Sequence, residues 1–469
     1  MGGRRQKRKE YALYESVRIG AAVAEGNCIA RIDEQVVFVK FAAPGDLADI
    51  QVVKRKKNYM EARIVRLIEP SPLRVEPRCQ HFGTCGGCKW QHLDYAEQLK
   101  AKSQQVQDAL ERLGGQSGFE LLPILGADET YAYRNKLDLT FSDQAWVLEF
   151  DKENPVRPQG LGFHIPGRFD KVLDVQACHL MPDYVNAIHR GLKQFCEAQG
   201  ISFFNLVKQE GLMRNLLLRC NAQGQWMVLV SFFYQCDEVE AVMAYLKREF
   251  AQISSLLYVI NDKKNDTLHG LEVKVYSGEK VLMERLGERQ YAIQAQSFFQ
   301  TNTRQAQRLY DLTKSFAQLS GSERVYDLYT GTGSIALYVA DQAQEVIGIE
   351  YVEEAIADAR VNMELNGMSH LKFYAGDMKD LLTADFVAEH GEPDVIITDP
   401  PRDGMHPSVV ERLVNMRAKR LVYVSCNPAT QARDAKLLEE AYRLVKVQPV
   451  DMFPHTHHVE SVALFERRS

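Results

Sequence analysis

Nowhere does the 469-residue chain offer the ~18–20 consecutive apolar residues of a membrane-spanning helix, so no membrane partner is expected. The opening MGGRRQKRKE is not followed by an apolar h-region, which speaks against a secretory leader. Gly2 lacks the downstream Ser or Thr that myristoylation prefers. Internal repeats and low-complexity tracts are missing too. Nine cysteines in a chain without export features do not suggest a disulfide framework, and the expected location is the cytoplasm. What remains is an ordinary globular composition, 45% apolar and 25% charged, long enough for several domains of about 100–200 residues each.

The net charge of −5 argues weakly against nucleic acid, but the charge is unevenly spread. Residues 1–70 hold 14 Lys/Arg against 9 Asp/Glu, so a net positive segment sits on a net negative body. Five of the six residues 4–9 are basic, and residues 54–57 read KRKK. A basic module on an acidic body suits a polyanion; a merely solvated charged face is the competing reading. Residues 11–68 alternate as about five short strands with a Pro44-Gly45 turn, the pattern of an OB-type β-barrel. The APGD turn, the alternating strand after it and the basic loop, residues 43–57, resemble a TRAM domain. That resemblance implies an RNA-binding barrel over residues 1–70.

Prolines at 70, 72 and 77 mark a linker. Residues 94–113 form an amphipathic helix closed by Gly114-Gly115. Residues 71–295 read as a central α+β domain, with alternating strands at 136–141, 162–164, 216–219 and 227–233. From residue 296 onward, apolar strands at 325–328, 345–350, 372–374, 395–398 and 420–424 alternate with helices. This is the pattern of a Rossmann-like, doubly wound α/β sheet, whose ligands lie at the C-terminal ends of the strands.

Residues 325–340, VYDLYTGTGSIALYVA, run strand, Gly-x-Gly, helix. Asp327 precedes the glycines, and Glu350 ends the next strand, where a carboxylate can accept both ribose hydroxyls of an adenosine. Ala336 stands where the dinucleotide fingerprint needs a third Gly, and no Gly-Lys-Ser/Thr follows. The loop therefore favours S-adenosylmethionine. Asp377 follows the third strand, on the adenine side, and Asp399 of ITDPPRDG follows the fourth. The two prolines stiffen that loop and remove amide donors.

Cys426, in VYVSCNPAT, ends the fifth strand at the same edge. A free Cys is usually a small buried hydrophobe, but Ser425, Asn427 and Pro428 place this one at a loop tip. A thiol beside a methyl sulfonium suits one chemistry well. Carbon 5 of uracil is a poor nucleophile until a thiolate adds to carbon 6; a base must later remove the carbon 5 proton so that the thiol is eliminated.

Together with QSFFQTN at 296–302, similar to an F-x-Q-x-N motif, and HHVE at 457–460, these features resemble the RNA 5-methyluridine (uracil-5-) methyltransferases. The resemblance spans essentially the whole chain and fits the ribosomal branch, which carries a TRAM domain and an iron–sulfur cluster. It implies Cys426 as nucleophile and Glu460 as base, with Gln300, Tyr329, Ser334, Glu350, Asp377 and Asp399 contacting the cofactor. Ser334 stands where Asn is common, and Thr330 where Cys is common. The implied partner is RNA, 23S ribosomal RNA first and transfer RNA as the alternative, acted on by a monomer. The target base must leave its stack; Phe298, Phe299 and Phe453 are candidates either to receive it or to pack in the core.

Cys79-x5-Cys85-x2-Cys88, with Cys178 as candidate fourth ligand, suits tetrahedral zinc or a cubane cluster, and spacing does not choose between them. The family resemblance implies [4Fe–4S], in a structural or RNA-orienting role, because methyl transfer needs no electron. His455, His457 and His458 read as loop histidines. Two other functions compete. One is a non-catalytic RNA-binding or cluster-sensing protein on a methyltransferase fold, against which the joint presence of Cys426, Asp399 and Glu460 argues. The other is methylation of an exocyclic amine, which uses an aromatic after the prolines, where this chain has Arg402.

Overall fold

The computed structural model describes residues 12–147 and 157–469; the basic run at 4–9 lies outside them. The chain divides into two compact units, Met1–Gln105 with Phe453–His458, and Val106–Met452 with Val459–Ser469.

The first unit opens with strands β1 (Leu13–Arg18), β2 (Asn27–Ile32), β3 (Gln35–Lys40), β4 (Leu47–Arg55) and β5 (Tyr59–Glu69), ordered β1-β4-β5-β3-β2. The chain just past β1 closes the sheet onto β2, because Gly20 N donates to Ile29 O at 2.7 Å and Ile29 N to Ala21 O at 3.0 Å. Alternate residues, among them Cys28, Ala30, Val37, Val39, Ile50, Val52, Met60 and Ala62, fill the interior. The barrel expected from residues 11–68 is therefore present, with β1 starting a few residues earlier than the apolar pattern indicated. Asp46 of the APGD turn is fully buried. Its carboxylate accepts from Ala43 N at 2.7 Å, Ser71 N at 3.0 Å, Arg74 Nε at 2.8 Å and Arg74 Nη2 at 2.7 Å. Burial pushes this carboxyl up, but Arg74 and the amides outweigh it and hold it below the ordinary range. The turn is thereby pinned to the linker.

In the second unit a short β6 (Glu120–Leu121) precedes a seven-stranded central sheet. Its strands are β7 (Lys136–Ser142), β8 (Gly160–Ile165), β9 (Arg168–Asp174), β10 (Met213–Cys220), β11 (Trp226–Phe232), β12 (Ile253–Ile260) and β13 (Lys274–Gly278), ordered β13-β12-β11-β10-β7-β8-β9. Helices Asp183–Ala198 and Asp237–Glu249 supply Val185, Ile188, Leu192, Val239, Val242 and Leu246 to its core. A hairpin, β14 (Leu282–Leu286) and β15 (Arg289–Ile293), leads to the α/β sheet.

That sheet holds the five expected strands, β16 (Arg324–Leu328), β17 (Glu345–Glu350), β18 (Leu371–Ala375), β19 (Val395–Thr398) and β20 (Arg420–Ser425), all parallel. It continues through β21 (Tyr442–Val450) and β22 (Glu460–Arg467), giving the order β18-β17-β16-β19-β20-β22-β21-β6. β22 lies antiparallel between β20 and β21. The helix expected at 94–113 forms as Tyr95–Asp108 and a π-helical turn Ala109–Leu113. Val106, Ala109 and Leu110 join the core of the α/β sheet. A Cβ at Gly114 would lie 2.9 Å from Ala432 O, so only Gly lets this turn sit against helix Pro428–Leu438.

Candidate active site

The register of two neighbouring strands builds the centre. Ser425, the last residue of β20, pairs with Ser461, the second of β22. Cys426 and Glu460 therefore each lie one residue beyond this last pair, on the same side of it, at the edge where β19 delivers Asp399. Asn427 caps helix Pro428–Leu438, its Oδ1 accepting from Ala429 N at 3.1 Å, so the chain turns sharply after the thiol. Burial pushes the half-buried Cys426 thiol up to about 12; Glu460 and Asp399 add to this and Arg402 opposes it. Glu460 is 6% exposed. Burial lifts its carboxyl to about 8, with Asp399 adding and Arg402 opposing. Asp399 is walled by protein though part of its surface is open, and burial followed by the charge of Asp327 raises it to about 7. The edge thus holds carboxyls that exchange protons near neutrality, a thiol, and one exposed cation.

Between β16 and helix Ser334–Val339 the backbone takes positive φ at Tyr329 (61°), Gly331 (55°) and Gly333 (77°). Asp327 braces this loop from behind. Its Oδ2 accepts from Thr330 Oγ1 and from Ala336 N at 3.1 Å. Its Oδ1 is buried without a partner, and burial raises the carboxyl to about 7. Thr330 thus acts as the loop's internal clamp. Glu350 Oε2 accepts from Gly331 N at 3.1 Å and Oε1 from Val352 N at 3.0 Å, which leaves each oxygen a lone pair. At Gly333 a Cβ would meet Leu337 Cδ1 at 2.8 Å and Phe373 Cζ at 3.0 Å, whereas at Gly331 it would meet nothing within 4 Å.

Two expected cofactor contacts are already engaged within the protein. Ser334 Oγ bonds Tyr310 Oη at 3.0 Å, and Ser334 O accepts from Tyr291 Oη at 3.1 Å. Asp377 sits beside Glu350, since Gly376 N donates to Glu350 O at 2.8 Å. Its Oδ1 accepts from Lys379 N at 2.9 Å and its Oδ2 pairs with Lys379 Nζ at 3.0 Å, which holds its carboxyl below the usual range. Gln300 is nearly buried, and the central sheet grips its loop. Asn135 Nδ2 donates to Gln300 O at 2.9 Å, Asn135 N to Thr301 O at 2.8 Å, and Arg219 Nη2 to Ser297 O at 2.8 Å. Asn302 caps the next helix, Thr303–Ala317. Phe299 is core, Phe298 is exposed, and Phe453 belongs to the other unit. Tyr310, Asn135 and Arg219 carry no sequence signal; each acts through contacts far from it along the chain.

Cys79, Cys85 and Cys88 lie on a loop of the first unit that turns through positive φ at Gly83 and Gly86. Gln91 spans it, with Oε1 accepting from Cys79 N at 3.1 Å and Nε2 donating to Cys88 Sγ at 3.2 Å. Cys178 lies in the second unit, its amide donating to Asn186 Oδ1 at 2.9 Å. Among the described residues no disulfide forms, and no three His, Cys, Asp or Glu side chains gather as a metal cage.

The profile of the tRNA (Uracil-5-)-methyltransferase family matches residues 272–468, and that of the TRAM domain residues 16–65. An uncharacterized RNA methyltransferase of Porphyromonas gingivalis is 54% identical over 95% of this chain and 98% of that protein. One of Bacteroides thetaiotaomicron is 48% identical over 95% of this chain and all of that protein. The structure of Pyrococcus abyssi tRNA (uracil-54, C5)-methyltransferase, in complex with S-adenosyl-L-homocysteine, superposes with a TM-score of 0.74 at 30% identity, covering 96% of this chain and 100% of that one. The chain belongs to the tRNA (uracil-5-)-methyltransferase family and is a TRAM-containing RNA methyltransferase.

Proposed function

We propose that the enzyme methylates carbon 5 of a specific uridine through a covalent adduct between Cys426 Sγ and carbon 6. The Ser425–Ser461 register carries this reading, because it brings the thiol and a carboxyl of raised affinity for protons to one strand edge. S-adenosylmethionine, when bound, supplies the methyl electrophile. The half-used oxygens of Glu350, the unpartnered Asp327 Oδ1 and the bare side of Gly331 fit such a ligand. Gln300, Tyr329, Ser334, Glu350, Asp377 and Asp399 are its proposed contacts.

Burial holds Cys426 as the thiol in the free protein, so it gives up its proton to solvent water as the substrate arrives, a step Arg402 favours. Sulfur bonds to carbon 6 while the carbon 5–carbon 6 electron pair moves into an enolate, and carbon 5 of that enolate would then bond to the donor's methyl carbon, with S-adenosylhomocysteine leaving. Once carbon 5 is methylated, ionised Glu460 takes the carbon 5 proton, the double bond re-forms and sulfur leaves as thiolate. A carboxyl near 8 accepts that proton more readily than an ordinary one.

The proposed target is 23S ribosomal RNA. Transfer RNA is the second reading, favoured by the activity named for the Pyrococcus protein. The proposed domains are residues 1–70 for RNA binding, 71–295 for the central region and 296–469 for catalysis, in a cytoplasmic monomer. Cys79, Cys85, Cys88 and Cys178 are the proposed ligands of a structural [4Fe–4S] cluster. Three thiols on one glycine-bent loop support the donor chemistry, and no catalytic step passes through it. The test is RNA carrying 5-fluorouridine from cells lacking this gene. The native enzyme should form an adduct that survives a denaturing gel, and Cys426→Ala should form none. Full methylation of ordinary RNA by Cys426→Ala would refute the mechanism. Mapping 5-methyluridine in the same cells separates the two RNA targets, and zinc without iron in an anaerobic preparation rules out the cluster.

A further inference from the structure

The main chain of the loop that follows Asp399 is held from outside at three residues, Arg402, Asp403 and Met405. Asn427 Nδ2 and Thr430 Oγ1 both donate to Arg402 O, at 2.9 and 3.2 Å. Arg433 Nη2 donates to Asp403 O at 3.0 Å and to Met405 O at 2.9 Å. Asp434 Oδ2 accepts from Met405 N at 2.8 Å and from Tyr423 Oη at 2.7 Å, and its Oδ1 accepts from Arg433 Nε at 2.8 Å. Asp434 is fully buried, so a carboxylate placed there without these donors would be costly. Gly404 between them takes φ 72°, and a Cβ there would come within 2.6 Å of Arg433 Nη2 and 2.8 Å of Asp434 Oδ2. The loop therefore rests directly on the charged pair. All the donors and acceptors come from the nucleophile's own strand and the helix that follows it.

We infer that Arg433 and Asp434 are positioning residues that latch residues 402–405 to the strand and helix bearing Cys426, fixing Arg402 relative to the thiol. This rests on the reading of Cys426 as nucleophile. The charged groups around it are Glu460 from β22, Asp399 at the end of β19 and Arg402 from the latched loop, and of these Arg402 favours the thiolate. Asp399 stays tied to β16 through its amide, which donates to Leu328 O at 3.3 Å, so loosening the latch frees Arg402 alone to move away and makes the thiol harder to ionise.

The test uses full-length Arg433→Lys, Tyr423→Phe and Asp434→Asn. Iodoacetamide alkylation of Cys426, followed by mass spectrometry of its peptide across pH, reads the thiol without RNA or cofactor. Methyl transfer from labelled S-adenosylmethionine to RNA from cells lacking this gene reads turnover. The expectation is an alkaline shift of the alkylation profile and a kcat lowered about tenfold or more, with KM for S-adenosylmethionine within about twofold of native. Unchanged profile and kcat in Arg433→Lys and Tyr423→Phe, even with a lower melting temperature, would overturn the latch; so would a change confined to KM. If Asp434→Asn fails to fold, the other two variants decide. Methylation that persists in Cys426→Ala would sink the proposed mechanism and leave the alkylation profile to judge the latch separately.

Discussion

Replacing Glu460 with Gln should make the protein more stable in alkaline solution while stalling its turnover. Burial carries the folded-state carboxyl from 4.5 to about 8. At 1.36 kcal/mol for each pKa unit, this corresponds to roughly 5 kcal/mol. The folded chain keeps this proton where the unfolded chain has lost it, so from about pH 4.5 to 8 the stability falls as pH rises. Gln has the shape of the protonated acid and never ionises. Native and variant should therefore melt nearly alike at pH 4.5–5 and diverge progressively from there to about pH 8, the variant leading by at most about 5 kcal/mol at pH 9. The figure is a ceiling, because relaxation and water penetration around a newly ionised carboxylate lower its cost. Scanning calorimetry from pH 5 to 9 measures it, reading the transition of the catalytic unit separately, since a chain of two units need not melt in one step. Parallel curves for the two proteins would refute the reasoning, as would a variant less stable at pH 9. With ordinary RNA the same variant should accumulate the covalent adduct, and its rapid release would remove Glu460 from the base's role.

Gly333→Ala should cost about 1–3 kcal/mol in urea unfolding, because its methyl meets Leu337 and Phe373 at positive φ. An unchanged midpoint would show that the loop can shift. Removing the carboxylate by Glu350→Ala should weaken S-adenosylmethionine binding by about tenfold or more in calorimetric titration; native affinity would detach Glu350 from the ribose. Arg74→Ala leaves buried Asp46 without its cation and should lower stability by about 3 kcal/mol. A loss under about 1 kcal/mol, followed by barrel-specific circular dichroism, would contradict that.

What could be read from the sequence follows local pattern. The five parallel strands announce themselves as apolar runs, and Cys426 and Asp399 follow directly from being the residues after two of them. The antiparallel return was not legible. Residues 460–467 look like any strand, and nothing local states that they slot between β20 and β21 and bring Glu460 beside the thiol. The bond at Ser334 was equally hidden: the family resemblance implied a cofactor contact there, and the Tyr310 hydroxyl that also engages its Oγ comes from the preceding helix. Nothing local marks Asp434, yet it is fully buried and accepts from Met405 N of the loop after Asp399. The central sheet's hold on Gln300 through Asn135 spans 165 residues, beyond the reach of any periodicity.

The two-residue strand β6 borders the α/β sheet. β6 pairs with β21, and the ladder runs on through Leu122 N to Val447 O at 2.8 Å and Leu125 N to Pro449 O at 2.9 Å. Residues 120–125 therefore hem a border that would otherwise recruit strands from other molecules. A polypeptide begun at residue 296 would lose this hem, together with Val106, Ala109 and Leu110 from beneath the sheet. It would present the nine-residue strand Tyr442–Val450 as an open template for aggregation. The α/β sheet thus draws its border from residues that precede the central region and its remaining strands from residues that follow it, so catalytic half and central region cannot be parted by one cut in the chain.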